Sequence, residues 1–347
     1  RHRRRPGRRG AGGRRSPRSG PWGACSSPPA TRLGGTDGGG AALGCWIRGP
    51  GRVFPGVGVV AVTGADRDAR LDGEPVPMWT GIAVKGGQVL ALGSARTGAR
   101  SYIAIDGAID TPPVLGSRST FHMAGVGGVE GFAVKAGQTV PLGAGGGAAG
   151  WTVAETARPV IGETKRWTVC AVPGPDDDWI DEAGHARFLS ADWTIQAKSN
   201  RTGIRLTGPE FSFTRRAYDK RPEHGQDPSN ILDHGYPVGS VNLAGQTPII
   251  LAVDGPSTGG FINPYTVPSA EFWKLGQARP WDVLSFKAVS GKEALEMRRS
   301  IAGLCTADSL VRAWGRLPRS IPPRSRSSTA SSSPASTRWA SSPRAPA

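Results

Sequence analysis

The sequence predicts a mainly β fold with few helices, arranged as two β subdomains between basic termini. Gly and Pro supply 51 and 30 of the 347 residues, so turns should be frequent and long helices rare. Its apolar runs, such as residues 57–62 and 248–253, have the length of single buried strands. A segment with the pattern strand, turn, strand also occurs twice.

The repeated segment predicts related hairpins of one β-barrel. Residues 81–93 (GIAVKGGQVLALG) and residues 131–143 (GFAVKAGQTVPLG) share eight residues at matched offsets: Gly, Ala, Val, Lys, Gly, Gln, Leu and Gly. Each copy is expected to form two strands joined by a Lys-x-Gly-Gln turn, and residues 274–282 are a looser third copy. Two close copies are too few for a solenoid.

Further strands are expected in chain order around this repeat. In the first half they are residues 57–62, a tight hairpin at Asp72-Gly73, and residues 101–105, followed by a Pro-rich ordered loop at 110–121. In the second half the expected elements are strands at 167–172, 193–197 and 283–286, a turn entering a strand at 199–206, a short helix at 178–188 and a helical turn at 268–274.

Composition divides the chain into four parts. Residues 1–44 lack hydrophobic periodicity, which predicts a disordered basic arm or sequence translated from a GC-rich gene in the wrong frame, rather than a nucleic-acid-binding arm. Residues 45–150 and 151–290 are predicted as the first and second β subdomains, with a flexible Gly-rich linker at 142–150. Residues 291–347 are predicted as a disordered Arg/Ser/Pro-rich tail.

The charge distribution argues against nucleic acid as a partner. Residues 1–50 carry a net +10 and residues 291–347 a net +7, which leaves a net −1 for residues 51–290 out of the total of +16. No apolar run approaches the ~20 residues that span a bilayer. The four cysteines lack metal-ligand spacing and a disulfide pattern, which predicts free thiols, no metal site and a cytoplasmic location.

Two polar stretches, residues 227–236 and 254–261, flank the predicted strand at 248–253. The first offers a carboxamide, a carboxylate, an imidazole and a phenol within seven residues, from Asn230 to Tyr236. The second offers the Asp254 carboxylate and a Gly/Pro/Ser turn whose backbone can approach a ligand closely. These stretches are the strongest candidates for a functional site.

Motifs spread over residues 46–290 make the chain similar to the carboxyltransferase domain of urea carboxylase. That family belongs to the biotin-dependent carboxyltransferase superfamily, with allophanate hydrolase subunit 2, the 5-oxoprolinase C subunit and KipA. The matching segments are RSYIAI and PPVLGSRSTF in the first half, and SNRTG, PSNILDHGY, DGPSTGGF and WKLGQ in the second, at residues 100–105, 112–121, 199–203, 228–236, 254–261 and 273–277. The resemblance implies a barrel of the cyclophilin-like type.

The chain also departs from the family pattern. Asp227 and Leu232 stand where the pattern often has histidines, so no role of those histidines transfers. The family's opening motifs are not readable in residues 1–44. No Met-Lys-Met is present, and the chain is too short to include a biotin carboxylase. The biotin carrier and the ATP-using biotin carboxylase are therefore expected as separate domains or subunits.

The resemblance implies transfer of a carboxyl group from carboxybiotin to an amide nitrogen such as that of urea. A small N–H-rich substrate calls for carboxylate and amide acceptors, and the carboxyl group calls for cations and N–H donors. Asn230, Asp233 and Asp254 are the candidate catalytic residues. The substrate-binding candidates are Arg118, Ser119, Asn200, Arg201, His234, Tyr236, Ser257, Gly259, Gly260 and Lys274.

Each candidate also has a structural interpretation. Asp233 suits a turn cap, His234 a satisfied half-buried imidazole, and Tyr236 a core position. Arg118 and Arg201 could hold loops together through hydrogen bonds of their guanidinium groups, and Lys274 repeats the turn pattern of the earlier copies.

The preferred function is an enzyme, a urea carboxylase-like carboxyltransferase acting with a partner subunit. The alternatives are a non-catalytic KipA-like regulatory protein and a component of an amide-hydrolysing complex that resembles the 5-oxoprolinase C subunit.

Overall fold

The computed structural model describes residues 27–35, 40–47, 51–54, 56–163, 165–313 and 336–340. The α-helices in these ranges are α1 (Ser27–Leu33), α2 (Glu182–Ser190), α3 (Arg215–Tyr218), α4 (Phe272–Gln277) and α5 (Gly291–Leu304). None of these helices is long and apolar enough to cross a bilayer.

The strands of the first subdomain and its attachments are β1 (Leu43–Trp46), β2 (Gly51–Val53), β3 (Gly58–Gly64), β4 (Arg67–Leu71), β5 (Glu74–Pro75), β6 (Gly81–Val84), β7 (Val89–Ala95), β8 (Arg100–Ile105), β9 (Thr139–Pro141) and β10 (Trp151–Val153). The strands of the second half are β11 (Arg166–Pro173), β12 (Trp193–Ile195), β13 (Gly203–Thr207), β14 (Asn230–Gly235), β15 (Ser240–Ala244), β16 (Thr247–Leu251), β17 (Thr258–Phe261), β18 (Tyr265–Thr266) and β19 (Val283–Ala288). Two further strands are β20 (Leu310–Arg312) and β21 (Ser336–Ala340).

The first subdomain consists of two sheets around one core. A four-stranded sheet has the order β1-β8-β3-β6, and a six-stranded sheet has the order β5-β4-β7-β2-β21-β9. Alternate residues of the first sheet, including Val60, Val62 and Ile103, point into the core and meet Leu90 and Leu92 of the second sheet. The expected strands at 57–62 and 101–105 are therefore confirmed, as is the Asp72-Gly73 hairpin.

The second subdomain is a closed barrel with the strand order β11-β18-β15-β16-β13-β12-β19. All neighbouring strands are antiparallel except β11 and β19. The α2 side chain of Phe188 is fully buried and stacks on Tyr265 and Phe286, with ring centroids 4.3 Å away in both cases. Burying such a ring contributes about 2–3 kcal/mol. The predicted mainly β fold with a β-barrel is confirmed.

The repeated segment encodes a turn and not a hairpin, so that prediction was wrong. Strands β6 and β7 belong to different sheets, and residues 131–134 do not form a strand. Both copies do share one turn, in which the glutamine side chain accepts from the lysine N–H: Gln88 from Lys85 at 2.8 Å, and Gln138 from Lys135 at 3.0 Å. The third copy lies on α4 and forms no such turn.

Parts of both termini are folded, contrary to the prediction of disorder. On α1, Ala30 packs against Tyr102 and Ala104, and Leu33 is buried beside Trp79. With seven residues α1 has fewer than two turns, which is too short for a helical period to show in the sequence. After residue 290, helix α5 begins with a capping box between Ser290 and Glu293, and β20 and β21 pair with β10 and β2. The rest of both predicted segments lies outside the described residues.

The Gly-rich stretch at 142–150 differs from the flexible linker expected there. The N–H groups of Gly146 and Gly147 both donate to Asp106 Oδ1 at 2.9 Å, and Gly150 N–H donates to Gly81 O at 2.8 Å. These bonds hold the stretch against the first subdomain. Strand β10 also packs there, with Val153 buried beside Trp79, so the barrel begins later than residue 151.

A tryptophan occupies a backbone conformation that favours glycine. Trp281 has φ of 75° and a side chain that is 69% exposed. The left-handed region costs roughly 1–2 kcal/mol for a residue with a Cβ, and the exposed ring offsets little of this cost. We expect Trp281→Gly to stabilise the protein by about 1 kcal/mol, which should raise Tm by roughly 2–4 °C in calorimetry.

The control for this substitution is Val160→Gly. Val160 is 87% exposed, and its φ is not positive. It should give no gain, because glycine there only increases the freedom of the unfolded chain. An equal gain at both positions, or a loss at Trp281, would contradict the strain argument.

Candidate functional site

The two polar stretches found in the sequence form a two-stranded antiparallel ribbon. Strand β14 pairs with β17, with Asn230 opposite Phe261 and His234 opposite Gly259. The apolar run between the stretches forms β16 of the barrel. The ribbon, defined as β14 and β17, therefore presents residues from both stretches side by side.

Tyr236 stabilises the ribbon by hydrogen bonds to Phe261 and by close packing against Gly259. Tyr236 is buried, and its hydroxyl accepts from Phe261 N–H at 2.6 Å and donates to Phe261 O at 3.0 Å. Burial raises the pKa of the Tyr236 phenol. A Cβ at position 259 would lie 2.6 Å from the Tyr236 ring, so glycine is required for this approach. Tyr236 N–H also donates to Ser257 O at 2.7 Å.

His234 connects the ribbon to the barrel. Its Nε2 lies 3.3 Å from Phe261 O, 3.2 Å from Asn263 Nδ2 and 3.4 Å from Asp176 Oδ2. Burial raises the pKa of Asp176, while the Asn263 N–H and the His234 charge oppose that rise. Asp176 was not among the candidates from the sequence, because nothing local connects it to a histidine 58 positions further along.

Asn230 and Asp233 share β14 but differ in their surroundings. Asn230 is half-buried, its N–H donates to Asp227 O at 2.9 Å, and its O accepts from Lys220 Nζ at 2.8 Å. Asp233 is exposed. A Cβ at Gly260 would lie 3.4 Å from Asp233 Oδ1 and only 2.9 Å from Ile231 O, so glycine is required there too. The turn cap in this stretch is Asp227, whose Oδ1 accepts from Ser229 N–H at 2.9 Å.

Asp254 forms a bidentate ion pair with Arg201. Arg201 Nε donates to Asp254 Oδ2 at 2.6 Å and Nη2 donates to Oδ1 at 3.1 Å. The Asp254 side chain is completely buried, and that of Arg201 is 31% exposed. Asn200 supports the same loop, because its Oδ1 accepts from Thr202 N–H at 2.8 Å. Both oxygens of Asp254 are thus engaged in fixing the Arg201 guanidinium.

A small cleft of about 20 Å³ lies between the two subdomains, and the loop that carries Arg201 borders it. The first subdomain contributes Trp46 and Arg100, and the second contributes Ile195, Ser199, Asn200, Ile204, Leu275, Ala278 and Pro280. We call this the inter-subdomain cleft. Burial lowers the pKa of Arg100 to about 10; the nearby Arg201 charge contributes to this shift, while Tyr102 opposes it. Arg100 therefore lines the cleft beside the loop that carries Arg201.

Arg100 was missed as a site residue in the sequence, although it opens one of the segments that carried the family resemblance. The other cations singled out lie elsewhere. Arg118 ties its own loop, with Nε donating to Thr111 O at 2.7 Å. Ser119 belongs to the same loop, where its N–H donates to Ser117 Oγ at 3.0 Å. Lys274 donates to Thr168 O and to Glu271 Oε2, each at 2.8 Å.

The described ranges contain no group of three or more His, Cys, Asp or Glu side chains placed to hold a metal ion. The chemistry available at the inter-subdomain cleft is that of fixed cations beside apolar walls. Such an arrangement suits a planar anion, because a guanidinium presents parallel N–H donors to a carboxylate.

Comparison with known proteins places these features in a family. The family profile described as "Carboxyltransferase domain, subdomain A and B" matches residues 16–288. The chain is 35% identical over 291 residues to urea amidolyase of Saccharomyces cerevisiae and 33% identical over 293 residues to a putative urea carboxylase of Emericella nidulans, in both cases over 82% of this chain. It is 34% identical over 246 residues to the 5-oxoprolinase C subunit of Escherichia coli, covering 70% of this chain and 73% of that one.

Solved structures give the same result. The urea carboxylase of Kluyveromyces lactis superposes with a TM-score of 0.79 at 32% identity, covering 88% of this chain and 29% of that one. The urea amidolyase of K. lactis gives 0.80 at 31% identity, covering 88% and 20%. The chain spans 16% of the S. cerevisiae protein and 23% of the E. nidulans protein. The resemblance inferred from the motifs is thus confirmed, and the chain belongs to the carboxyltransferase domain family of subdomains A and B.

Proposed function

We propose that this chain moves a carboxyl group from carboxybiotin to an amide nitrogen, with urea as the acceptor. Membership of the carboxyltransferase family and the similarity to proteins named urea amidolyase and urea carboxylase support the proposal. The observation that carries it furthest is the inter-subdomain cleft, where Arg100 lies beside the loop of the Arg201–Asp254 pair.

Carboxyl transfer requires the carboxyl group to be held in place while its bond to the biotin nitrogen breaks and its bond to the amide nitrogen forms. We assign this task to Arg100, since it lines the cleft and a guanidinium matches the planar geometry of a carboxylate. Arg201 adds a second charge whose orientation is already fixed by Asp254, so it needs no rearrangement during the reaction. Asp254 therefore acts in this proposal by orienting Arg201.

The inter-subdomain cleft encloses about 20 Å³, so it has room for the small polar end of the carboxylated cofactor that the family implies, and not for its ring. Arg100 would meet that polar end. Carboxybiotin, carried on a separate carrier and loaded by a separate ATP-using biotin carboxylase, brings the transferable carboxyl group. Asn230 and Asp233 on β14 are the proposed acceptors for the N–H groups of a small amide.

The second candidate function is that of a component of an amide-hydrolysing complex that resembles the 5-oxoprolinase C subunit, with 5-oxoproline as the amide. The chain covers 73% of the E. coli 5-oxoprolinase C subunit but 16% of the S. cerevisiae urea amidolyase. The identity to the two relatives is nearly the same, 34% and 35%, which supports this alternative. Under this second candidate function the chain would act with a partner subunit on the lactam amide of 5-oxoproline.

The two candidates can be separated in one assay. The full chain is combined with biotin carboxylase, biotinylated carrier, ATP and bicarbonate, and ADP release is measured with urea, with 5-oxoproline and with neither. Urea-dependent ADP release that requires the chain is the expected result. Stimulation by 5-oxoproline alone would favour the second candidate, and stimulation by neither would overturn the carboxyltransferase proposal for this chain.

A further inference from the structure

A buried glutamine of the second subdomain holds the main chain of the first at the edge of the cleft. Gln277, the last residue of α4, is 2% exposed. Its Oε1 accepts from the N–H groups of Ala99 and Arg100 at 2.9 and 3.0 Å, and its Nε2 donates to Arg100 O at 2.9 Å. The amide thus binds both polar groups of the Arg100 backbone.

The surrounding residues make this contact close and specific. Gly98 has φ of 63°, and a Cβ there would lie 2.5 Å from Gln277 Oε1. The Arg100 side chain turns back to the same helix end, where its Nη1 donates to Gly276 O. Leu275 and Ala278, on either side of this helix end, line the inter-subdomain cleft together with Arg100. The position of Arg100 in the cleft is therefore set from across the subdomain boundary.

We propose that Gln277 is a positioning residue for carboxyl transfer, acting by fixing the backbone of Arg100 so that its guanidinium stands in the inter-subdomain cleft. This inference rests on the proposed function. Gln277 itself touches no reacting group. Its contribution should therefore disappear when the Arg100 guanidinium is absent.

The same boundary offers a matched control in Arg279. Arg279 Nε donates to Gly98 O at 2.6 Å and Nη2 donates to Ala95 O at 2.9 Å. It therefore joins the two subdomains as Gln277 does, but it does not bind the backbone of Arg100. A purely structural role at the boundary would make the two residues equivalent, whereas a positioning role distinguishes them.

The test compares Gln277→Met, Gln277→Glu and Arg279→Met in the wild-type chain and in an Arg100→Met background. In the amide-dependent assay, Gln277→Met should lower kcat on the order of 10- to 100-fold, since small displacements of a binding group cost this much. Gln277→Glu keeps both acceptor contacts and should recover part of the loss. Arg279→Met should change Tm but leave kcat within about threefold. In the Arg100→Met background, Gln277→Met should cause no further loss.

Binding of formate, a minimal carboxylate probe, gives a readout that requires no turnover. Gln277→Met and Arg100→Met should each weaken formate binding about fivefold or more, and Arg279→Met should not. Losses that multiply in the double variant, equal effects of Gln277→Met and Arg279→Met, or unchanged formate binding would each overturn the positioning role. A wild type that turns over no amide but shows the expected formate pattern would overturn only the proposed function.

Discussion

Arg100→Met should lower kcat/KM for the amide acceptor by about 100- to 1,000-fold without lowering Tm. The loss follows because a fixed donor aimed at developing charge is worth this much in a water-poor site. Tm should stay level because two effects oppose each other: methionine loses the Nη1 bond to Gly276 O, but it also removes a buried charge, whose burial lowers the pKa of Arg100 to about 10. Burial disfavours the charged form, so the wild type carries this penalty at every pH below that value, and methionine removes it while keeping an apolar stem.

The sign of the stability effect can be checked by varying pH. A base whose folded pKa is lowered destabilises the fold while it is charged, and the penalty declines only as pH rises through that pKa. The Tm difference between Arg100→Met and wild type should therefore be constant across roughly pH 6–9, with the variant equal or higher. Calorimetry and steady-state kinetics measure the two effects separately.

Arg166→Met is the control for Arg100→Met. Arg166 is an exposed arginine of β11, with a side chain 64% exposed and paired to Asp192. Its replacement should leave kcat/KM within about twofold and Tm nearly unchanged, because exposed ion pairs contribute little. Retained activity in Arg100→Met would remove this residue from the proposed site. A large fall in Tm would instead make its role structural.

Local patterns in the sequence were sufficient for the fold class and for locating both strands of the ribbon, although not for predicting that these strands pair. Alternation and short apolar runs predicted most barrel strands, and the clustering of polar groups at 227–236 and 254–261 identified the two halves of a ribbon that pair in the structure. The capping box at Ser290 was also readable, yet the basic composition of the tail obscured α5.

Contacts between distant residues could not be predicted in the same way. Gln277 and Arg100 are 177 positions apart, and His234 and Asp176 are 58 apart. The helix α1 depends on burying Ala30 and Leu33 against a sheet formed later in the chain. A single sequence that is read by itself gives no information on such pairings, because each partner is an ordinary residue in its own local context. The motif WKLGQ was therefore recognised, while the contact of its glutamine with the Arg100 backbone was not.

Asp254→Asn should destabilise the protein by about 3 kcal/mol, a fall in Tm of roughly 6–12 °C, and should also lower turnover. The Asp254 side chain is fully buried, and each of its oxygens accepts from Arg201. The carboxamide offers one acceptor oxygen without charge, so a partly buried guanidinium loses its counter-ion. Turnover falls because Arg201 is then no longer held in one orientation at the cleft.

Two comparisons distinguish this orienting role from direct catalysis by Asp254. Asp233→Asn changes an exposed carboxylate of the ribbon and should leave Tm within about 1 °C, since surface charges contribute little to stability. The double variant Arg201→Met/Asp254→Asn removes both charges and should be more stable than Asp254→Asn alone, because no uncompensated charge stays buried. If Asp254→Asn instead abolished turnover with Tm intact, Asp254 would contact the substrate directly, and the orienting role would be wrong.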